Sequence, residues 1–147
     1  MIDKISASAG VLIHMTKNDF GRICLARRSG NRNHSGFWEF PGGKIEMDES
    51  PIAALHREIW EELQVKIVAP KWVQSFSHKS GNSLIEVHFF VAHTDTAPTI
   101  STSHDLVRWF TIAELQLFFE DQTHEKLLAA DNTMVKMLIN GLFDITT

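Results

Sequence analysis

The sequence predicts a single α+β domain in which a mixed β-sheet is accompanied by two or three helices. Its 147 residues are enough to bury a core without disulfides, and 44% of them are hydrophobic against 22% charged, which is typical of a globular chain. Runs rich in strand-forming residues alternate with segments of helical periodicity. Because no internal repeat, low-complexity segment or linker is present, we expect one domain over residues 1–147.

Strand signals dominate the N-terminal part of the chain. Residues 5–15 form an apolar run, and the turn sequence KNDFG separates it from the run at 22–28, so the two are predicted to be neighbouring strands. The polar residues 29–36 are expected to form a loop. A short strand at 37–40 then ends at Pro41, whose nitrogen carries no hydrogen for a β-ladder.

A helix is predicted shortly after this strand. Ser50 can cap its first turn, and Pro51 suits the first position because the N–H that proline lacks would be unpaired there. Four apolar residues recur at helical spacing and are expected to form its buried stripe: Ile52, Leu55, Ile59 and Leu63.

The second half of the chain predicts a long hairpin. Residues 66–79 and 83–93 flank the turn sequence SGN as two strands, although Pro70 interrupts the first of them. Residues 94–104 are expected to form a loop, and a last strand is predicted at 106–110.

Two helices are predicted to complete the domain. Thr111 and Glu114 have the spacing of a capping box, in which each side chain binds the backbone N–H of the other residue. The final helix is expected over residues 132–140 and to stop at Gly141.

Charge and composition exclude several classes of protein. A net charge of -4 and a pI near 6.0 argue against duplex nucleic acid as a partner, because such binding needs a basic face. No apolar run is long enough to span a membrane and no targeting segment is evident, so a cytoplasmic protein is expected. The single cysteine, Cys24, is expected in the core. A monomer and a dimer both remain open.

Three carboxylates stand close together on the first predicted helix. Glu58, Glu61 and Glu62 fall about a quarter turn or more from the apolar stripe, and like charges at this spacing repel. Clustered carboxylate oxygens suit Mg²⁺, or Mn²⁺ as a substitute, far better than zinc. The glycines after Pro41 would let the backbone approach such an ion, and the small Ala54 would leave room for a ligand. The alternative is a solvated acidic surface.

The residues around this cluster resemble the signature of the Nudix hydrolases. Gly43 is followed after five residues by Glu49, and after seven more by the sequence REIxEExQV, which begins at Arg57. One position departs from the signature, because Gln64 stands where the family has a glycine that ends the helix in a left-handed conformation. The resemblance implies the Nudix fold, an α/β/α sandwich with a central mixed β-sheet.

The resemblance also implies roles for individual residues. The metal site would consist of carboxylates and one backbone carbonyl, contributed by Glu58, Glu61, Glu62 and Gly42. Arg57 and Glu49 resemble an ion pair that braces the loop against the helix, next to the catalytic groups. Glu58 and Glu61 are both candidates for the general base.

One ligand position of MutT-type relatives is altered in this chain. Many of them carry Glu-His six residues before a Trp, and counting back from Trp109 gives Ser103 and His104. Asp105 is a candidate to replace the missing carboxylate. A solvated loop is the favoured alternative for both His104 and Asp105.

Further resemblance to MutT-type enzymes implies a substrate pocket. Arg28 would contact the base or a phosphate, and Phe40 would wall the base pocket or simply pack in the core. Asp131, with Asn132 beside it, matches the position that hydrogen-bonds the purine edge. The alternative for Asp131 is a helix N-cap, and an ionised Asp would only accept hydrogen bonds.

The expected activity is Mg²⁺-dependent hydrolysis of a nucleoside triphosphate to the monophosphate and pyrophosphate. The leading substrate is 8-oxo-dGTP, which would imply nucleotide-pool sanitation and mutation avoidance. CTP, dCTP or 5-methyl-dCTP, and RNA 5′ ends, are the alternatives within the fold. A non-catalytic Nudix domain that binds a nucleotide and regulates a partner is the alternative of another class.

Overall fold

The computed structural model describes residues 2–30, 33–120, 125–143 and 145. Its elements run in the order β1 (Asp3–Thr16), β2 (Asp19–Arg28), β3 (Phe37–Glu39), β4 (Gly42–Lys44), α1 (Pro51–Leu63), β5 (Ile67–Ser80), β6 (Ser83–Thr94), β7 (His104–Phe110), α2 (Ile112–Glu120), β8 (Lys126–Leu127) and α3 (Ala129–Ile139). The predicted loop at 29–36 is described except for residues 31 and 32.

All the strands join one mixed sheet. Its main path is β5-β6-β1-β2-β3-β8, with β4 paired to β1 and β7 paired to β2. The pairs β1–β6 and β3–β8 are parallel, and the other pairs are antiparallel. The predicted mixed sheet is therefore confirmed.

Helices cover both faces of this sheet. Side chains along β1 alternate between the faces, so Leu12 packs in the cluster under α1, while Val11 and Ile13 pack in the cluster under α2 and α3. The predicted α/β/α sandwich is confirmed. Cys24 is fully buried under α1, where burial, with a contribution from the charge of Glu62, raises the pKa of its thiol.

Most predicted element boundaries agree with the structure. The capping box at the start of α2 is present, because Thr111 N donates to Glu114 Oε1 at 3.0 Å and Glu114 N donates to Thr111 Oγ1 at 3.1 Å. Pro70 does not end a strand, since β5 continues through it with a register shift between Val68 and Lys71. Ala69, at φ 51°, takes the left-handed conformation there. No helix in the described ranges is long and apolar enough to cross a membrane.

Candidate active site

Helix α1 carries the acidic cluster, and its N-terminus is built as the sequence predicts. The Ser50 side chain accepts a hydrogen bond from Ala53 N at 3.1 Å, and Pro51 begins the helix. The C-terminal cap is Gln64, which adopts the left-handed conformation expected for a glycine, with φ 56° and ψ 38°. Its side-chain amide donates to Trp60 O at 2.8 Å, which helps satisfy the last turn.

The buried face of α1 differs from the predicted stripe at two positions. Leu55, Ile59 and Leu63 are buried as predicted, but Ile52 is 42% exposed because it lies in the first turn, at the rim of the sheet. Ala54 is fully buried, so its small side chain serves close packing and leaves no room for a ligand. Both of these predictions were wrong.

The three glutamates of α1 do not share one environment. Glu58 and Glu62 line one cavity, whereas Glu61 does not line it and its side chain is 57% exposed. Glu62 is buried, and its Oε2 lies 3.7 Å from Nδ1 of His104. The alternative of a solvated acidic surface therefore applies to Glu61 and not to the other two glutamates.

Glycines of β4 bring the backbone against these carboxylates. Strand β4 pairs with β1 so that Gly43 lies opposite Ser8 and Gly42 opposite Ala9. A Cβ atom on Gly43 would collide with the Glu58 carboxylate, and one on Gly42 would collide with the backbone of Ser8. The close approach predicted for this turn is present; it requires glycine at Gly42, whereas a side chain at Gly43 would force the Glu58 carboxylate to move.

Arg57 is the centre of an ion-pair network beside the cavity. Its Nε and Nη2 donate to the two oxygens of Glu49 at 2.8 and 2.9 Å, and Nη1 donates to Glu58 at 2.8 Å and to Glu61 at 3.4 Å. Nη2 also donates to Lys44 O at 3.0 Å, which ties the helix to β4. Hydrogen bonds from Arg57, with a further one from the Glu46 backbone, lower the pKa of Glu49 to about 2. The predicted pair is present and offsets repulsion within the cluster.

The donor set fits a hard divalent cation without forming a tight cluster. Among the described residues, no group of three His, Cys, Asp or Glu side chains lies close enough together to hold a metal ion. Glu58 and Glu62 nevertheless face one cavity together with Gly42, and the atoms they offer are oxygens, the donors that Mg²⁺ and Mn²⁺ prefer.

Arg28 and Phe40 line the same cavity from the sheet side. Arg28 Nη1 donates to Glu39 Oε1 at 2.8 Å, and Arg28 Nε donates to Asn33 O at 2.7 Å. Phe40 is buried and packs edge-on against Phe89, with ring centroids 5.7 Å apart. It therefore serves the core and the cavity wall at once, and its contact with a base stays a prediction.

Asp131 lies in this cavity and does not cap a helix. The N-cap of α3 is Leu128, and Asp131 Oδ1 accepts a hydrogen bond from Phe40 N at 2.8 Å. Burial raises the pKa of Asp131 to about 8, against the opposing hydrogen bond from Phe40 N, and the charge of Glu39 adds a smaller upward contribution. A pKa near 8 favours the protonated form at neutral pH, and a protonated carboxyl can donate a hydrogen bond as well as accept one.

Asn132 is placed apart from this group. It lines a separate cavity together with residues of α2 and α3, such as Gln116 and Val135. Adjacent residues of a helix point in different directions, and here Asp131 and Asn132 line different cavities. The structure thus brings together all the predicted substrate-binding residues except Asn132.

His104 and Asp105 are not part of a solvated loop, because β7 begins at His104. The His104 side chain is fully buried, and its Nε2 lies 2.8 Å from Glu39 Oε2. Asp105 forms an ion pair with Arg27 at 2.8 Å and does not line the cavity, so it does not replace the missing carboxylate. Ser103 does line it.

Sequence reasoning missed Glu39, which also lines the cavity. Burial alone would raise its pKa, but the hydrogen bond from His104 and the positive charge of Arg28 together outweigh that effect and hold the pKa below its ordinary value. The alternation of side chains along a strand could have indicated Glu39. Trp38 is buried on one face of the sheet, so its neighbour Glu39 points to the opposite face. A charged residue on that face needs partners, and β7 supplies one.

The assembled cavity has a volume of about 600 Å³. One part of its wall is acidic and close to the glycines of β4, and another part carries Arg28, Phe40 and Asp131. A volume of this order suits a small organic molecule of nucleotide size.

Comparison with known proteins identifies the class. Residues 5–131 match the family described as the NUDIX domain, so the chain belongs to the Nudix family. Hydrolases of this family generally use divalent metal ions and bind small nucleotide substrates.

Individual relatives are of the MutT type. The chain is 40% identical over 68 residues to the CTP pyrophosphohydrolase of Escherichia coli (strain K12), a match that covers 46% of this chain and 50% of that protein. It is 34% identical over 88 residues to the 8-oxo-dGTP diphosphatase of Proteus vulgaris, covering 60% of this chain and 75% of that protein. The structure of the MutT protein from Methanosarcina mazei Go1 superposes with a TM-score of 0.77 at 20% identity, over 97% of this chain and 98% of the other, which supports the fold.

Proposed function

We propose that this protein is a Mg²⁺-dependent nucleoside triphosphate pyrophosphohydrolase, with 8-oxo-dGTP as its leading substrate. The observation that carries the proposal is the single cavity in which Glu58 and Glu62 share a wall with Arg28, Phe40 and Asp131. A nucleoside triphosphate has the matching halves, because its phosphates need a cation held by carboxylates and its base needs an apolar wall with a few polar groups.

The acidic part of the cavity is assigned to the phosphates. Glu58, Glu61, Glu62 and the Gly42 carbonyl would hold the cation, which supplies the Lewis acidity that polarises a phosphoryl oxygen. Arg57 and Glu49 keep Glu58 oriented, since Arg57 holds both carboxylates at 2.8 Å. Glu58 and Glu61 are both candidates for the general base, and Arg57 donates a hydrogen bond to each of them.

The opposite part of the cavity is assigned to the base. A protonated Asp131 offers both a hydroxyl donor and a carbonyl acceptor, as an amide does, so it can pair with a purine edge that presents one donor and one acceptor. Phe40 supplies apolar wall, and Arg28 contacts the base or a phosphate. This chemistry is compatible with 8-oxoguanine as the base that is read.

CTP or another cytidine nucleotide is the second candidate. The relative that is 40% identical is named a CTP pyrophosphohydrolase, and the chain covers half of that protein. A cytosine edge also presents a donor beside an acceptor, so Asp131 alone does not separate the two bases.

The test is pyrophosphate release with Mg²⁺ and with Mn²⁺ from 8-oxo-dGTP, dGTP, dCTP, 5-methyl-dCTP and CTP, compared by kcat/KM. A preference of about a hundredfold for 8-oxo-dGTP over dGTP, or about 2.7 kcal/mol at the transition state, would support pool sanitation. A profile led by cytidine nucleotides would assign the second candidate. Binding of nucleotides without any turnover would refute catalysis and leave a regulatory domain.

A further inference from the structure

His104 occupies a position between the two parts of the cavity wall. Its ring is fully buried, Nε2 lies 2.8 Å from Glu39 Oε2, and Nδ1 lies 3.7 Å from Glu62 Oε2. The ring does not line the cavity itself. It therefore acts on a ligand only through the side chains that it holds.

The hydrogen bonds around this ring hold it from both sides. Ser103 N donates to Ser101 Oγ at 3.1 Å, and Ser101 Oγ lies 2.7 Å from His104 Nδ1. An ionised carboxylate only accepts, so Nε2 carries the hydrogen that binds Glu39. The loop before β7 thus orients the ring, and the ring orients Glu39.

Glu39 in turn orients Arg28. Its Oε1 accepts from Arg28 Nη1 at 2.8 Å, while its Oε2 accepts from His104, so each oxygen has a charged or ring N–H donor. Both side chains are largely buried, at 16% and 13% exposure, and Glu39 shares the cavity with Glu58 and Glu62. Without the donor from His104, repulsion from those carboxylates would favour rotation of Glu39, and Arg28 would follow it.

We propose that His104 is a positioning residue that holds Glu39, and through it Arg28, in the orientation that binds the nucleotide. The choice of ligand rests on the proposed function. The contact through Nε2 carries the effect, whereas the carboxylates of α1 keep their affinity for a cation. His104 therefore acts on nucleotide affinity and leaves metal affinity unchanged.

Two substitutions separate the two ring nitrogens. The amide nitrogen of Gln stands near the place of Nε2, so His104→Gln keeps a donor to Glu39. Asn is shorter, and its amide stands near the place of Nδ1, so His104→Asn keeps a partner for Ser101 and leaves Glu39 without its donor. Asp105→Asn is the matched control, because Asp105 is the next residue and pairs with Arg27 outside the cavity.

The readouts are binding measurements on the full chain. Calorimetry gives the Kd of 8-oxo-dGMP, dGMP and CMP, and electron paramagnetic resonance gives the Kd of Mn²⁺ alone. We expect His104→Asn to weaken monophosphate binding about tenfold or more, since a hydrogen bond to a charged group is lost. His104→Gln and Asp105→Asn are expected to stay within about threefold of the wild type, and Mn²⁺ affinity is expected to change less than about threefold in all variants.

Several results would overturn the proposal. Equal losses in His104→Gln and His104→Asn would show that ring packing alone matters, and a selective loss of Mn²⁺ affinity would place the effect on Glu62. If His104→Asn does not fold, Glu39→Gln makes the same test. A Gln side chain has one acceptor oxygen, whereas Arg28 and His104 both donate to this position. Unaltered monophosphate affinity in Glu39→Gln overturns the proposal. Wild-type protein that binds a monophosphate but hydrolyses no triphosphate refutes the proposed function alone, and failure to bind any of the three overturns both.

Discussion

Asp131 shows how burial changes the chemistry of a single carboxyl group. The side chain is withdrawn from water under α3, near the charge of Glu39, and its pKa is about 8. The Phe40 N–H occupies Oδ1, so Oδ2 is the oxygen that can carry the proton and donate. An aspartate that is an acceptor on the surface becomes a donor and acceptor here.

A pH titration of stability tests this state. The unfolded chain loses the Asp131 proton near pH 4 and the folded protein near pH 8, so the proton stabilises the fold at low pH and this stability is lost as pH rises through 8. Asp131→Asn mimics the protonated form at every pH. Relative to this variant, the wild-type free energy of unfolding is expected to fall by about 2 kcal/mol between pH 6 and pH 8, measured by urea denaturation.

Asp105→Asn serves as the control for this titration, because Asp105 is exposed and paired with Arg27. Its difference from the wild type is expected to vary little over the same range. If Asp131→Asn and the wild type ran parallel between pH 6 and pH 8, Asp131 would be ionised in the folded protein and the proposed pairing with a purine edge would fail.

Residues of the candidate site were predictable where the spacing is local. Glu58, Glu61, Glu62, Arg57 and Glu49 lie within fourteen consecutive positions, and their relation follows from helix geometry and one loop. Glu39 and His104 are 65 residues apart, and only the pairing of β2 with both β3 and β7 brings them together. Local patterns carry no information about such a contact.

At the scale of elements, the end of α1 departs from the family pattern and pays a conformational cost. Gln64 adopts φ 56°, a region that residues with a Cβ enter at a cost of about 1 kcal/mol, whereas glycine enters it freely. We expect Gln64→Gly to raise the free energy of unfolding by roughly 0.5–1 kcal/mol and the Tm by about 2 °C in thermal denaturation.

Gln64→Ala is the matched variant for this position. It removes the hydrogen bond from the side chain to Trp60 O but keeps a Cβ in the left-handed region. Its Tm is expected to equal that of the wild type or to lie below it. A stabilised alanine variant together with an unchanged glycine variant would mean that the Gln64 side chain, and not its backbone, determines the cap.

Leu55 and Ile52 of α1 were both predicted to be buried, but only Leu55 is. Leu55 is fully buried and Ile52 is 42% exposed. Leu55→Ala is expected to cost about 2–5 kcal/mol of unfolding free energy in chemical denaturation, because it leaves a cavity. Ile52→Ala is expected to cost less than about 1 kcal/mol. Similar losses of unfolding free energy in the two variants would mean that Ile52 is buried like Leu55, as the periodicity predicts.

The long elements follow from their own sequences, and the short ones do not. Helix α1, with its serine cap and its proline, and the capping box of α2 are local features. Strands β4 and β8 have three and two residues, and each exists because a partner strand is already in place. Pro70 interrupts the ladder of β5 as predicted, and the strand tolerates the register shift there because β5 lies at the edge of the sheet.

At the scale of the whole molecule, the cavity is an interface between elements that are distant in sequence. Its wall includes residues of β1, β2, β3, β4, α1 and α3. A ligand that contacts several of them binds only the folded chain, so ligand binding and folding are linked. The acidic wall makes this linkage strongest for a cation, because mutual repulsion of the carboxylates opposes folding until positive charge is bound.

Thermal unfolding with Mn²⁺ measures this linkage directly. At a free concentration near a hundred times its Kd, Mn²⁺ is expected to stabilise the fold by about 2.7 kcal/mol, which corresponds to a Tm increase of roughly 5–10 °C that EDTA reverses. In Glu62→Gln, which loses one buried anionic oxygen from the cavity wall, the Mn²⁺-induced increase is expected to shrink by at least half, and turnover is expected to fall by orders of magnitude. Glu120→Gln, at the end of α2 on the other face of the sheet, removes the same charge and should keep the full increase. An equal Mn²⁺-induced Tm increase in both variants would contradict a cation site at α1, because a general effect of net charge would then account for the stabilisation.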